Sequence, residues 1–325
     1  MRIGFDLGGT KMLAVVLDEE NTIRGRKKAR TKGGGNEAVF TQIVQVVRAA
    51  MDDAGVKAGD VQALGIAVPG PIDTGKGMIL EPPNLDMRNM PLAGRLRKEL
   101  DIPVLLENDV NAGLWGEYIA GVAAGYRHVV GIFPGTGIGG GLILDGRLYR
   151  GKLGAAGEIG HITVQSDGRR CGCGNFGCLE TVASKTAIAR DLTILALNGQ
   201  SPVLAAAGAT DIRMVKSGLI AKAMDAGDTG VVEIVEQAAQ FFGVGMAAMV
   251  NTFDPELIVV GGGLVEKLGE RFMKPAEATM RRRAMRRIVA DVKVAVAALG
   301  DDAAVIGAAD LAERAGAESG ARESA

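Results

Sequence analysis

The sequence has 325 residues, a formal net charge of −1 and 47% hydrophobic residues. That length can bury a large core or two domains, and the balanced charge makes no electrostatic case for nucleic acid or an anionic membrane as a partner. Met1 leads straight into a strand pattern without the features of a secretory leader, and the few thiols suit a metal better than disulfides, so the expected compartment is a reducing cytoplasm.

In chain order, Arg2–Arg26 reads as a β-meander: the strand I-G-F, the turn D-L-G-G-T-K, a second strand over Met12–Leu17, a polar turn and a third strand. Phe40, Ile43, Val44, Val47 and Met51 mark one face of a helix. Val61–Val68 reads as a strand running into P-G-P, and Ile102–Leu106 as another, followed by a helix from about Val110 to Ala120. His128–Tyr149 repeats the opening layout: the strand V-V-G-I-F, the turn P-G-T-G-I-G-G-G, a strand over Leu142–Leu144, an Asp145-Gly146 turn and a third strand. This repetition predicts two related α/β domains, each opening with a meander whose first turn is glycine-rich. Further on come a long helix over Thr229–Asn251, a buried strand over Leu257–Val260 running into Gly261–Gly263, and another helix. The basic cluster Arg281–Arg287 reads as a solvated helix face. The expected division is a domain over 1–115, completed by a C-terminal helix near 302–315, and a larger domain over 116–300, with 316–325 as a frayed tail.

Cys171, Cys173 and Cys178 are all the cysteines of the chain, and His161 lies just upstream of them. Three thiolates and an imidazole at this spacing predict a closed, tetrahedral Cys₃His zinc site. The interleaved Gly172, Gly174 and Gly177 let the backbone wrap tightly around an ion. Such an ion would fix Glu158 and Glu180 relative to each other.

Glycine loops present backbone N–H groups to phosphate oxygens. Gly135–Gly140 formally fits G-x-G-x-x-G, but a strand rather than a helix follows, and Lys11 follows Thr10 instead of preceding it as in a Walker loop. Two glycine-rich hairpin turns fit actin-like and hexokinase-like ATPases better. In that plan Gly8, Gly9, Thr10 and Lys11 meet one side of the triphosphate, and Gly135, Thr136, Gly137, Gly139 and Gly140 meet the other. Gly261, Gly262 and Gly263 join them, and Asp6 orders a hydrated Mg²⁺. The segment E-N-D-V-N-A places Glu107, Asn108, Asp109 and Asn111 at a strand-to-helix junction. Asp109 reads either as an N-cap or as a general base taking the proton of a substrate hydroxyl that attacks the γ-phosphate. Asn108, Glu158 and Glu180 offer further hydrogen-bonding groups to a polyhydroxylated substrate.

With these motifs the sequence resembles the ROK family of repressors, open reading frames and sugar kinases. The likeness runs from D-L-G-G-T-K through P-G-P-I-D, E-N-D-V-N-A, G-T-G-I-G-G-G, G-E-I-G-H and C-G-C-G-N-F-G-C-L-E to V-V-G-G-G. The resemblance implies a two-domain actin-like ATPase fold of the ribonuclease H-like, hexokinase type, with the sugar in an interdomain cleft. It implies Asp109 as catalytic base, and Gly70, Asn84, Asn108, Glu158, His161 and Glu180 around the sugar. It implies His161, Cys171, Cys173 and Cys178 as zinc ligands, with ATP and Mg²⁺ as further cofactors and a homodimer or homotetramer as the assembly. The implied activity is ATP-dependent phosphorylation of a hexose, glucose to glucose 6-phosphate first. N-acetylglucosamine or N-acetylmannosamine, fructose or allose are alternative acceptors. A sugar-sensing repressor is disfavoured, because the first phosphate loop begins at Asp6 and leaves no room for an N-terminal helix-turn-helix region.

Overall fold

The structure is a computed structural model describing residues 1–82 and 85–323, with side chains through Ala317. Asn84, expected near the sugar, lies outside the described residues. The chain forms two compact units: Met1–Gly125 with Leu148–Ala156 and Ala298–Ala325, and Tyr126–Arg147 with Gly157–Ala297.

Unit one opens with the expected meander of β1 (Arg2–Leu7), β2 (Lys11–Leu17) and β3 (Ile23–Arg30). β4 (Leu64–Val68) pairs parallel to β1. A small hairpin of β5 (Ile72–Asp73) and β6 (Met78–Ile79) follows, and β7 (Val104–Asn108) pairs parallel to β4. The order is β3-β2-β1-β4-β7. β1, β2 and β4 are almost wholly buried; β4 is a continuous apolar run, while β1 carries Arg2 and Asp6 and β2 begins with Lys11. β3 at the edge carries Arg24, Arg26, Lys27 and Lys28 toward solvent, which blunts edge-to-edge pairing. Strand β7 starts at Val104 rather than Ile102, since Pro103 accepts from Leu64 N but has no N–H to give. The stripe Ile43, Val44, Val47 and Met51 is buried on α1 (Gly35–Ala54), while Phe40 is half-buried under the Arg95 guanidinium at 4.2 Å. α2 (Leu92–Leu100) and α3 (Asp109–Ala120) complete this stretch. The unit boundary falls after α3, outside the expected division at 115/116.

Unit two repeats the plan with β8 (Val129–Pro134), β9 (Ile138–Leu144), β10 (Arg147–Leu148), β11 (Leu257–Val260) and β12 (Lys293–Val296) in the order β10-β9-β8-β11-β12. The glycine-rich turn is shorter than its sequence suggests. Gly139, Gly140 and Gly141 are strand residues paired with Phe133, Ile132 and Gly131. The helices are α4 (Glu180–Ala183), α5 (Lys185–Leu197), α6 (Pro202–Ala206), α7 (Ser217–Asp225), α8 (Thr229–Phe253), α9 (Gly263–Leu268), α10 (Glu270–Arg283) and α11 (Arg286–Val289). The small residues of α8 have a packing cause: at Gly243 a side chain would strike the Ala276 carbonyl of α10. Beside that contact the Phe242 and Phe272 rings meet at 5.4 Å.

The chain returns to unit one as α12 (Ala303–Glu323). No helix among the described residues is long and apolar enough to cross a membrane. α12 lies backbone-to-backbone on its neighbours. A Cβ on Gly4 of β1 would collide with the Val305 carbonyl, one on Gly65 of β4 with the Ala308 carbonyl, and one on Gly116 of α3 with the Ala303 carbonyl. Gly65→Ala is therefore expected to destabilise the protein by about 1–3 kcal/mol through overpacking. Gly59→Ala, with nothing near its would-be Cβ, is expected to stay within about 0.5 kcal/mol of wild type. Paired thermal melts check the contrast.

Candidate functional site

The carboxyl ends of the parallel strands β1, β4 and β7 lie side by side, with Asp6, Ala67 and Glu107 in register. Ligands of open α/β sheets bind at such ends. Gly70, with φ +81°, turns the chain just beyond β4. Asn108 ends β7, and its Oδ1 accepts from Val110 N at 3.0 Å and Asn111 N at 3.2 Å. The helix cap is thus Asn108 and not Asp109. Capping occupies the Asn108 oxygen and leaves its Nδ2 as a donor. Asp109 takes the first helical position, where its Oδ1 accepts from Val110 N at 2.9 Å. It is partly buried, and the protein packed around it pushes its pKa above the usual carboxylate range. Asp6 is pushed up to about 6, first by burial and then by the Asp109 charge, with Lys11 opposing and Asp301 adding. Two neighbouring acids whose pKa values are both raised are a pattern that clusters at functional sites.

The first glycine turn is closed by Gly8 N donating to Lys11 O at 2.9 Å. Thr31, just past β3, grips it twice: its Oγ1 donates to Gly8 O at 2.6 Å and its N to Thr10 O at 3.0 Å. Gly9 and Thr10 are left exposed. Lys11 Nζ lies 2.6 Å from Asp301 Oδ1. Neither Thr31 nor Asp301 belongs to a motif, and no local pattern marks them.

In unit two the turn Gly135–Gly137 closes through Gly135 N to Gly137 O at 2.8 Å. The start of α5 clasps it: Lys185 N donates to Gly135 O at 2.9 Å and Thr186 Oγ1 to Thr136 O at 2.7 Å. From below, Glu180 Oε2 accepts from Ile138 N at 2.9 Å. It occupies the place a Cβ on Gly137 would take. Gly140 serves packing, since a side chain there would strike Ile159 and the Gly157 carbonyl. Gly262, with φ +97°, is the N-cap of α9, and Gly261 packs against Phe133 and Ala297. Beside the turn opens a cavity of about 660 Å³, lined among others by Thr136, Lys185, Thr186, Ile212, Lys216, Gly263 and Lys267. Apart from Thr136 and Gly263 these lining residues carry no sequence signature.

The cysteine loop brings its four expected ligands together. One ligand atom each from His161, Cys171, Cys173 and Cys178 lies within 4.8 Å of all the others, an arrangement that can hold a metal ion. Cys171 Sγ is 3.5 Å from His161 Nδ1, and Cys173 Sγ is 3.7 Å from Cys178 Sγ. The loop is fastened by Cys171 N to Asn175 O at 2.7 Å and Leu179 N to Ile162 O at 2.9 Å. Gly177, with φ +71°, lies so close to the Gln165 carbonyl that no side chain fits. Burial pushes the Cys178 thiol up to about 12, and the neighbouring Cys173 and Cys171 add to this. Its thiolate therefore needs a cation beside it. His161 Nε2 faces Glu158 Oε2 at 3.9 Å. Glu180 Oε1 is 4.0 Å from Cys171 Sγ. Glu158, His161, the cysteines, Glu180 and the second glycine turn thus form one cluster in unit two. Asp6, the first turn, Gly70, Asn108 and Asp109 belong to unit one.

Two five-stranded sheets of equal order, each with a glycine-rich first turn, define the actin-like ATPase class. The model of the ROK family matches residues 2–315, and the chain belongs to that family. It is 36% identical over 317 residues to the glucokinase of Streptomyces coelicolor, covering 96% of this chain and 97% of that one. Among solved structures it is similar to a ROK family glucokinase from Streptomyces griseus in complex with glucose and AMPPNP. That likeness has a TM-score of 0.79 at 36% identity, covering 96% of this chain and 99% of the other. A ROK hexokinase from Thermus thermophilus superposes with a TM-score of 0.83 at 33% identity, covering 98% and 99%.

Because folding raises the Asp6 pKa from 3.8 to about 6, the protonated group favours the folded state below pH 3.8 and that contribution is lost above about pH 6. Asp6→Asn is expected to raise the melting temperature of the ligand-free protein at pH 8 by roughly 2–8 °C. The gain should shrink toward pH 4. A gain that grows on acidification would show that Asp6 is not a destabilising charge.

Proposed function

We infer that this chain is a hexose kinase that transfers the γ-phosphoryl group of ATP to the 6-hydroxyl of glucose, with Asp109 as general base. The observation that carries the reading is Asp109 itself. It is a partly buried carboxylate just past the carboxyl end of the parallel strand β7, freed from capping by Asn108 and raised in pKa by burial. Phosphoryl transfer asks for positioning and charge stabilisation rather than covalent help. Asp109 takes the hydroxyl proton as the bond to phosphorus forms. The Asn108 amide, Glu158, His161 Nε2, Glu180, Gly70 and Asn84 are the proposed sugar ligands. Gly9 and Thr10 of the first turn and Thr136 and Gly137 of the second offer N–H groups to the triphosphate and Lys11 adds its ammonium, while Gly8 and Gly135 spend their N–H groups closing the turns and Gly139 and Gly140 support the second turn from β9. Gly261–Gly263 and the neighbouring cavity suit the nucleoside end, and Asp6 suits a magnesium ion's water shell. The identity to a glucokinase across nearly the whole chain supports glucose as acceptor. The remaining proposals are a cytoplasmic enzyme and a homodimer or homotetramer.

The cysteine cluster is proposed to hold structural zinc. Zn–S bonds of about 2.3 Å and a Zn–N bond of about 2.0 Å at tetrahedral angles imply S···S and N···S edges of about 3.8 and 3.5 Å. The Cys173–Cys178 edge of 3.7 Å and the Cys171–His161 edge of 3.5 Å fit, and all four ligand atoms lie within 4.8 Å of one another. His161 binds through Nδ1, leaving Nε2 to a sugar hydroxyl. When bound, the ion cross-links the loop and keeps Cys178 as thiolate. Elemental analysis is expected to find about one zinc per chain, and Cys173→Ser to lose the metal and sugar affinity together. Active protein free of zinc would remove this assignment.

Asp109→Asn is expected to keep the fold and most sugar affinity while turnover falls by roughly 10² to 10⁴. An ADP-release assay over a hexose panel tests the acceptor. Glucose should lead the N-acetylhexosamines, fructose and allose in kcat/KM by about tenfold or more, since each unpaired buried hydroxyl partner costs about 1–3 kcal/mol. Another sugar leading by that margin would overturn glucose and leave the kinase reading standing.

A further inference from the structure

Glu107 stands directly before Asn108 and Asp109, and its side chain is 2% exposed. Each of its oxygens is engaged. Oε1 accepts from Asn108 N at 3.0 Å and from Asn111 Nδ2 at 3.2 Å, and Oε2 accepts from Arg150 Nε at 2.6 Å. Burying such a pair does not by itself stabilise a fold, because desolvation offsets the attraction. What the pair does is fix geometry. It holds the last peptide of β7 through Asn108 N and the first turn of α3 through Asn111 Nδ2, on either side of the capping amide and the raised carboxyl.

Arg150 reaches this strand end from the segment Leu148–Ala156, which leaves the strands of unit two and joins unit one. Ala156 N donates to Arg150 O at 3.0 Å and closes the segment into a loop. Two residues further along the chain stands Glu158, a proposed sugar ligand. One ion pair therefore fastens the strand end before Asp109 to the returning segment Leu148–Ala156 within unit one.

We propose that Arg150 is a positioning residue for phosphoryl transfer, holding Glu107 so that the Asn108 amide and the Asp109 carboxylate face the acceptor hydroxyl. The proposal rests on Asp109 as the base. Arg150→Met leaves Glu107 as an uncompensated charge next to Asp109. The other charges facing that region are Asp6 from β1 and, beyond it, Lys11 of β2 and Asp301. An added negative charge raises a carboxyl pKa, so the acid limb of the kcat/KM profile should move to higher pH. Turnover should fall by roughly 10- to 100-fold from misplacement of the base, with KM for ATP within about twofold of wild type. Arg150→Lys should recover part of the rate by restoring the charge without the Nε geometry. If Arg150→Met does not fold, Glu107→Gln with Arg150→Met removes the buried charge. That pair should fold, keep the wild-type acid limb and remain slow. Folded Arg150→Met with wild-type turnover and an unmoved acid limb, or a double variant at full rate, would overturn the proposal. A wild-type protein that phosphorylates no hexose would take down the kinase reading together with it.

Discussion

The carboxylate of Glu180 under Gly137 is the constraint on which the site in unit two depends. One oxygen holds the Ile138 N–H and fills the place of the missing Cβ, while the other looks toward the Cys171 sulfur. A single side chain thereby links the second glycine turn to the cysteine cluster. This explains why the turn must carry glycine at that point and why the cysteine loop ends where it does. Leu179, the residue before Glu180, packs into α8 where Gly245 leaves room, so the glutamate's backbone is anchored in the core rather than in a free loop.

Unit one meets the opposite difficulty, three carboxylates at one end of a sheet, and treats each differently. Glu107 is buried and neutralised by Arg150. Asp109 sits at the start of α3, where N–H groups and the helix dipole favour its charge, yet burial still lifts its pKa. Asp6 has Lys11 nearby, but Lys11 also pairs with Asp301, and Asp6 is left raised to about 6. Stability alone would replace such a group with an apolar one. Its retention fits a residue whose partner is a ligand.

Much of this was legible in the sequence, and the reasons are local. The repeated meander foretold two sheets, and both have the same strand order. The stripe from Ile43 to Met51 foretold α1, and the cysteine spacing foretold a cluster whose ligand atoms do converge. What escaped were pairings between single residues far apart in sequence: Thr31 with Gly8, Lys11 with Asp301, Arg150 with Glu107. A lone threonine or arginine has no period to betray it. The exchange of roles at the α3 cap was missed because Asn108 and Asp109 are both good capping residues, and the sequence alone does not choose which one turns its oxygen back on the helix. The glycine run after Ile138 reads as a turn by composition. It is a strand because Phe133, Ile132 and Gly131 offer it a ladder.

The two sheets share an order but not a way of bracing their first turns, and strand length explains the difference. In unit one β3 runs eight residues to Arg30, so the next residue, Thr31, reaches back to hold Gly8 and Thr10. In unit two the corresponding strand β10 has two residues and ends at Leu148. It is too short to return to Gly135–Gly137, so that turn is braced from elsewhere, by Glu180, Lys185 and Thr186 at the starts of α4 and α5. The shortened strand thus frees the chain after it to supply Arg150, and the second turn takes its brace from Glu180 instead. The fifth strands diverge as well. β7 passes directly into α3 and so carries an aspartate at a helix start, whereas after β12 the chain leaves unit two at Ala297 without a helix of its own. A duplicated fold therefore has a strand-to-helix junction that starts on an aspartate in one half and not in the other.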